Sequence, residues 1–550
     1  MELSFDTYSA LIEDGAVSIF VDGRRYARFT VGVALDSPDA KDIDGELSAP
    51  KASRYEDGVD VTWRTQSTLW PEKTYHWRFE NDLFWCRVKV RGSGTLGELR
   101  YLDNGSRQSL YDFSRFFTPE CSLLDQRYFA SMQYASPDAP LASLTHMLQG
   151  PQGGSHWIFG PPPYCYCLGF SSGKWLVAGI AAEEGDYRFS RFAYMSGVNS
   201  FCFRLAYDGM TRVEDAWTSP MLIFRPAEDE YAGLAKYCDM LRAWEFVAEN
   251  EHPRADWWSR PMFCGWGEQH VLSVNGGEIM PNREFATQAV YDSFIATMRE
   301  KRIDPGTIII DDKWQREYGT LEVDTDKWPD LRGWIDARHA EGRRVLLWLG
   351  AWNAEGLPDD ECVMDSEGSR AFADPTSPGY QQRIKDTLHR MLSSDRGCYN
   401  ADGIKFDWTY VHAGEGYRLH GELWGAELFK SYTQQVYDAV KAAKPDALMI
   451  THTANPYFAE CTDMLRLNDI SERQRELVST MTHRQKIARA ACPHALIDCD
   501  NSRAPTHTEW MEYMLAQPSL GVPSLYFLTA VDGTMEPITD EDWEKLAHIW

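Results

Sequence analysis

The sequence predicts two architectures in one chain, an antiparallel β-sandwich followed by a (β/α)8 barrel, a multidomain β plus α/β protein. Three observations carry this. Short alternating runs separated by turn residues fill residues 1–228, one helical period follows, and from Pro261 strand-length apolar runs alternate with helix-length segments.

The first part reads as strands because runs such as Ala16–Val21, Leu83–Val90 and Trp175–Ile180 are bounded by Asp-Gly, Gly-Ser-Gly and Ser-Ser-Gly turns. Almost no long helical pattern separates them, which indicates a sandwich. The segment Asp229–Trp244 is different. Tyr231, Leu234, Tyr237, Cys238 and Leu241 recur at three and four residues and give one apolar stripe. Polar, Pro-containing sequence from Asn250 to Arg260 then serves as connector, so residues 229–260 link the two domains.

The third part, 261–550, holds eight apolar runs: Met262–Trp266, Thr307–Ile310, Arg344–Leu349, Gly403–Asp407, Ala447–Thr451, Met464–Leu467, Ala495–Cys499 and Pro523–Leu528. Fully apolar strands alternating with helices mean a parallel sheet covered on both faces. Eight units in this length fit a closed barrel, and no Gly-rich dinucleotide fingerprint follows any run.

Composition narrows the function classes. With 43% hydrophobic and 25% charged residues the chain is an ordinary globular protein. A formal charge of −27 argues against nucleic acid and anionic membranes, which recruit clustered Lys and Arg. Aromatic residues make up 13%, and that excess of rings is a weak pointer to sugars, whose apolar faces pack on them. The start, Met1–Asp6, has neither a basic nor an apolar signal region, and no run reaches the roughly 20 apolar residues of a membrane span, so a cytoplasmic location is expected. The 12 Cys are scattered without zinc-ligand spacing; Cys264 and Cys499 read as small buried hydrophobes.

In barrels of this kind chemistry sits at the carboxyl ends of the strands. Strand two ends in Asp311-Asp312-Lys313-Trp314, strand four in Lys405-Phe406-Asp407-Trp408, and strand six in Arg466-Leu467-Asn468-Asp469. Trp266, Trp314, Trp348 and Trp408 accompany these acids at the mouth. Carboxylates crowded into a partly desolvated space repel one another, and Lys405 and Arg466 offset part of that cost. Glycoside cleavage with retention needs two carboxyl groups about 5–5.5 Å apart, one ionised for attack and one protonated for the leaving oxygen. Asp407 with a cation beside it suits the first role, and Asp469 with its pKa raised by the Asp407 charge suits the second. Arg466 would oppose that unless it points at substrate hydroxyls. Asp463, Glu460 and Glu472 compete with Asp469, which could instead cap a helix starting near Ser471.

These motifs resemble the retaining α-glycosidase clan that includes the melibiases, glycoside hydrolase family 36. The resemblance spans the barrel from about Pro261, with a β-sandwich in front. Lys405-Phe406-Asp407 is similar to the K-[WYF]-D nucleophile motif, and Asp469 stands where the acid/base follows strand six. Asp311-Asp312-Lys313-Trp314 resembles the D-D-G-W run that binds galactose O4 and O6. Lys405 would then reach O3 and O4, and Trp266 and Trp348 match the Trp residues of strands one and three. The resemblance implies an α-galactosidase-like hydrolase acting on an oligosaccharide or glycoside, with no metal or other cofactor. A homo-oligomer is also implied, although no sequence feature specifies it. Trp408 and Arg466 join the expected substrate-binding set. Two departures stand out: Lys313 replaces the Gly of D-D-G-W, and Thr451–Asn455 replaces the strand-five signature; Trp550 falls inside what reads as the last barrel helix, and whether the family's usual carboxyl-terminal β-domain follows is left open.

Related α-glycosidases acting on N-acetylgalactosamine, glucose or xylose, and transglycosylases, remain open. Two further classes compete. A metal-dependent barrel hydrolase would use His270, His412, His452 and Asp498, although neither H-x-H after strand one nor H-E-x-x-H occurs. A non-catalytic carbohydrate-binding protein would use the aromatic mouth without needing both Asp407 and Asp469.

Overall fold

The computed structural model describes residues 1–103, 110–111, 113–119, 140–144, 148–149, 155–156, 160–170, 172–197, 200–275, 281–412, 416–469 and 476–550. The amino-terminal part forms two five-stranded sheets and one of nine strands, all antiparallel. Strands Ala16–Val21, Phe84–Arg91 and Trp175–Ala181 lie on the expected runs. Alternation places Val61, Trp63, Tyr75, Trp77 and Phe79 in the core while Asp60, Arg64 and Arg78 stay near solvent. The helix Glu230–Ala243 follows, capped by Asp229, whose side chain accepts from the Ala232 N–H at 2.8 Å.

The barrel strands are Met262–Cys264, Thr307–Ile310, Arg344–Gly350, Gly403–Asp407, Leu448–Thr451, Met464–Arg466, Leu496–Asp498 and Ser524–Leu525, here numbered one to eight. All pair in parallel, in the order seven-six-five-four-three-two-one-eight. A bridge between Asp498 and Val522, with Val522 N–H donating to Ile497 O at 2.7 Å, joins strand seven to the approach of strand eight and closes the ring. The short strands, rich in Ile, Leu and Met, are covered by helices such as Gln288–Lys301, Pro378–Leu392 and Gly425–Ala443.

One connection departs from the expected alternation. Strand five is followed by the short 3-10 segment Pro456–Cys461 instead of a long helix. The sandwich occupies that side of the barrel. Tyr457 Oη donates to Ala182 O at 3.1 Å and accepts from Ala182 N–H, Asn455 Nδ2 donates to Pro162 O, and Thr453 Oγ1 donates to Gly160 O. Side chains of this connection thus satisfy polar backbone groups of the neighbouring domain. Among the described residues no helix is long and apolar enough to cross a membrane.

Candidate active site

The barrel mouth collects its polar residues from strand ends. On strand four the two-residue period puts Lys405 and Asp407 on the inner face, while Phe406 points outward to Tyr432 of the covering helix. Strand two delivers Asp311 and Asp312 directly after Ile310, and strand six ends on Arg466.

Two charged clusters result. In the first, Lys405 Nζ lies 2.6 Å from Asp311 Oδ2, which also accepts from the Cys264 thiol at 3.0 Å. Burial opposes the charge on Lys405, but Asp311 outweighs it and holds the ammonium above the ordinary lysine range. The expectation for Cys264 needs correction. It is buried, yet its sulfur is a polar member of this cluster, and burial with the Asp311 charge keeps it a thiol that can donate. Asp311 N–H donates to the Tyr291 hydroxyl at 2.9 Å, which fixes the strand end. Asp312 accepts from Tyr318 Oη at 3.2 Å through Oδ2, while its buried Oδ1 has no hydrogen-bond partner among the described residues. Burial pushes the Asp312 carboxyl up to about 7, against the Tyr318 hydrogen bond.

The second cluster is built around Arg466, whose side chain is 3% exposed. Its guanidinium faces three carboxyl groups: Asp407 Oδ1 at 3.3 Å, Asp469 Oδ1 at 2.7 Å, and Asp500 Oδ2 through Nε at 2.6 Å. Asp407 is further fixed by Trp348 Nε1, which donates to Oδ2 at 3.0 Å, and by the Trp408 N–H, which donates to Oδ1 at 2.9 Å. Burial would raise the Asp407 carboxyl, but Arg466, Lys405 and the Trp348 hydrogen bond hold it well below the ordinary carboxylate range. Asp469 moves the other way. Burial and the charges of Asp500 and Asp407 raise it against the pull of Arg466. Its side chain remains 34% exposed, so it looks into the mouth, whereas Asp407 is nearly covered. Because one guanidinium touches both, the pair stays within the roughly 9.5 Å upper limit for carboxyl groups that flank one glycosidic bond, a limit that spans both retaining and inverting spacings.

The expected residues therefore fall into distinct places. Asp311, Asp312, Lys405, Asp407, Arg466 and Asp469 meet at one mouth. Arg466 spends its guanidinium on carboxylates, so substrate hydroxyls are not what it faces. Trp348 is buried and anchors Asp407, Trp408 is half-buried, and Trp266 opens the helix Trp266–Asn275 half-exposed. Asp463 lies at the other end of strand six, bonded to Lys441 at 2.7 Å, and Glu460 pairs with Lys430. Glu472 and Ser471 lie outside the described residues. The helix Leu477–Ala491 has Glu476, not Asp469, at its cap.

Three neighbours were not anticipated in these roles. Asp500 sits two residues past strand seven, where Arg466 and Lys405 overcome burial and lower its pKa. Its only signal was its place after an apolar run. Tyr318 enters from the loop beyond strand two and carried no motif. His452, for which a structural role or a substrate hydrogen bond is expected ahead of metal ligation, stands beside Asp407, with Nε2 3.7 Å from Asp407 Oδ1 and accepting from Thr409 N–H at 3.2 Å. Burial pulls its pKa down to about 4, so the imidazole is neutral at pH 7. Among the described residues no group of three or more His, Cys, Asp or Glu side chains could hold a metal ion.

The backbone is strained around the same mouth. Lys313, Trp352, Trp408 and Asn468 have φ of 91°, 67°, 55° and 69°, just past strands two, three, four and six. Side chains with a Cβ rarely adopt this region, and such strain clusters at functional sites. Lys313 keeps the left-handed turn for which glycine is suited, held by Glu355 Oε2 at 2.8 Å and by the Tyr318 ring, 3.8 Å from its ammonium.

Comparison with solved structures matches the overall fold. An α-N-acetylgalactosaminidase of Bifidobacterium bifidum, in complex with GalNAc, superposes with a TM-score of 0.60 at 10% identity, over 100% of this chain and 92% of that one. The chain shares the overall fold of this glycosidase. A family 31 sulfoquinovosidase of E. rectale bound to an aza-sugar inhibitor shares this glycosidase fold, with a TM-score of 0.56 at 12% identity over 98% and 82% of the two chains. No protein-family model matches the sequence, and no curated sequence does.

Proposed function

We propose that this glycosidase-fold protein is a retaining α-glycoside hydrolase that removes terminal α-linked sugars, α-galactosides first, by double displacement. The observation that carries the reading is the opposite treatment of two carboxyl groups by one arginine. Asp407 is buried with its pKa held well below the ordinary carboxylate range, and Asp469, partly open to the mouth, has its pKa raised above it. In the first step a carboxylate oxygen of Asp407 attacks the anomeric carbon as the bond to the glycosidic oxygen breaks, and Asp469 gives that oxygen its proton. In the second, water attacks the same carbon, Asp469 takes the water's proton, and the bond to Asp407 breaks.

The other cluster suits the non-reacting hydroxyls. In this reading the acceptor Asp312 Oδ1, unpartnered among the described residues, and the Lys405–Asp311 pair would serve the O3, O4 and O6 edge of a pyranose, with Trp266 and Trp408 offering ring surface. Satisfying a buried unpaired acceptor is worth about 1–3 kcal/mol, so a sugar presenting that hydroxyl is favoured over one lacking it.

A panel of nitrophenyl α- and β-glycosides, including galactose, N-acetylgalactosamine, glucose and xylose, tests this with the purified protein. The reading expects turnover of an α-glycoside and complete loss in Asp407→Asn. Turnover confined to β-glycosides, or unchanged rates in Asp407→Asn, would overturn it.

A further inference from the structure

Beside the site lies a second concavity of about 390 Å³, within the 300–1,000 Å³ typical of small-molecule sites. It opens between the loops that follow strands three and four and is backed by the hairpin of Cys362–Met364 and Arg370–Ala373. Its aromatic lining is Trp352, Phe372, Trp408, Tyr410 and His412, with Arg370 on the rim.

Three features set it apart from ordinary packing. First, Trp408 is a wall shared with the reacting centre. Its N–H holds Asp407, and its ring meets Trp348 edge-on at 4.9 Å. The ring comes so close to strand three that a Cβ on Gly350 would lie 2.7 Å from it. Second, the two tryptophans that follow strands three and four are both in the left-handed region, at a cost of order 1–3 kcal/mol each. Trp352 Nε1 donates to Tyr410 O at 2.9 Å and ties the two loops together. Third, the His412 ring lies flat on Phe372 at 3.8 Å and 9°, while its buried Nε2 has no hydrogen-bond partner among the described residues. Burial pulls this imidazole down to about 3, so at neutral pH it is an uncharged hydrogen-bonding group.

We propose that this concavity is a second sugar subsite, which takes a further sugar unit of an oligosaccharide whose terminal ring lies against Asp407. The inference rests on the glycosidase reading. Aromatic faces with a few fixed polar groups suit a pyranose, whose C–H face stacks and whose hydroxyls bond outward. His412 Nε2 is the inner partner for such a hydroxyl, and Arg370, 46% exposed at the side chain, is the outer one. A second ring here is within one wall of the reacting carbon, so its binding contributes to the rate on long substrates only.

Steady-state kinetics of the full chain on a nitrophenyl α-glycoside and on α-linked di- and trisaccharides with the same terminal sugar would test this. His412→Ala and Tyr410→Ala should each lower kcat/KM on the oligosaccharides about tenfold, equivalent to about 1.4 kcal/mol. On the nitrophenyl glycoside they should stay within about twofold. His412→Gln, which keeps a hydrogen-bonding side chain, should recover most of the loss. The rim variant Arg370→Ala touches no core packing and should cost about threefold on the same substrates. Equal losses on short and long substrates, or none on long ones, would overturn the subsite. No turnover of any glycoside by the wild-type protein would instead remove the glycosidase reading, and the subsite with it.

Discussion

Barrel strands four and six each carry an aspartate at both ends, and the two ends are built differently. At the amino ends, Asp402 and Asp463 are closed. Asp402 is bonded by His339 Nε2 at 2.7 Å, Arg344 at 3.2 Å, Lys444 at 3.4 Å and the Val345 N–H at 2.9 Å. Asp463 accepts from Lys441 Nζ at 2.7 Å, Tyr437 Oη at 2.8 Å and Met449 N–H at 2.9 Å. At the carboxyl ends, Asp407 and Asp469 share one guanidinium that neither owns, and Asp469 is one-third exposed. Buried carboxylates whose lone pairs are satisfied hold a fold together, and carboxyl groups pulled apart in pKa with room beside them are equipped to exchange protons.

The comparison can be broken by substitution. The largest effect belongs to Asp407→Asn, which should cut kcat by about 10⁴–10⁶-fold with the fold intact, measured by steady-state rates beside a thermal melt. Next comes Asp469→Asn, with a loss of about 10²–10⁴-fold on substrates with poor leaving groups and little on activated aryl glycosides. Its kcat/KM should also lose the alkaline limb of the wild-type pH profile. That limb arises because the raised Asp469 carboxyl loses its proton as pH climbs above the ordinary carboxylate range. The opposite end gives the opposite pattern. Asp463→Ala leaves Lys441 buried and unpaired, and chemical denaturation should show about 3–5 kcal/mol of lost stability with kcat unchanged in the folded fraction.

A smaller effect concerns Asp498, at the end of strand seven. It is fully buried, both its oxygens lack hydrogen-bond partners among the described residues, and burial pushes its pKa up to about 7. The unfolded chain ionises this group near pH 4 and the folded one only near 7, so it weakens the fold progressively across that window and evenly above it. Asp498→Asn should therefore add about 2–4 kcal/mol at pH 8 and progressively less toward pH 4, read from denaturation at both values. The smallest effect is expected from Lys313→Gly. Release of the strained turn, about 1–2 kcal/mol, opposes loss of the bridge to half-exposed Glu355, about 0.2–1 kcal/mol, so stability should rise by no more than about 1 kcal/mol.

Much of this was legible in the sequence for a physical reason. A strand buried on both faces must be apolar, so eight apolar runs exposed the barrel, and a charged residue inside such a run, as at Lys405 and Asp407, is costly enough to mark a site. The strand-five connection was illegible, because the sandwich that replaces its helix lies about 300 residues away in the chain. Asp500, Tyr318 and the thiol of Cys264 were hidden for a similar reason. Each acquires its role from a partner on another strand or loop, and nothing in its own neighbours announces that partner.

The most direct measurement is a carboxyl 13C NMR titration of aspartate-labelled protein, with Asp407→Asn and Asp469→Asn used to assign the two resonances. The account predicts that the Asp469 carboxyl titrates above the ordinary aspartate range, while Asp407 titrates well below it. Two carboxyl groups that titrate together near pH 4 would contradict it.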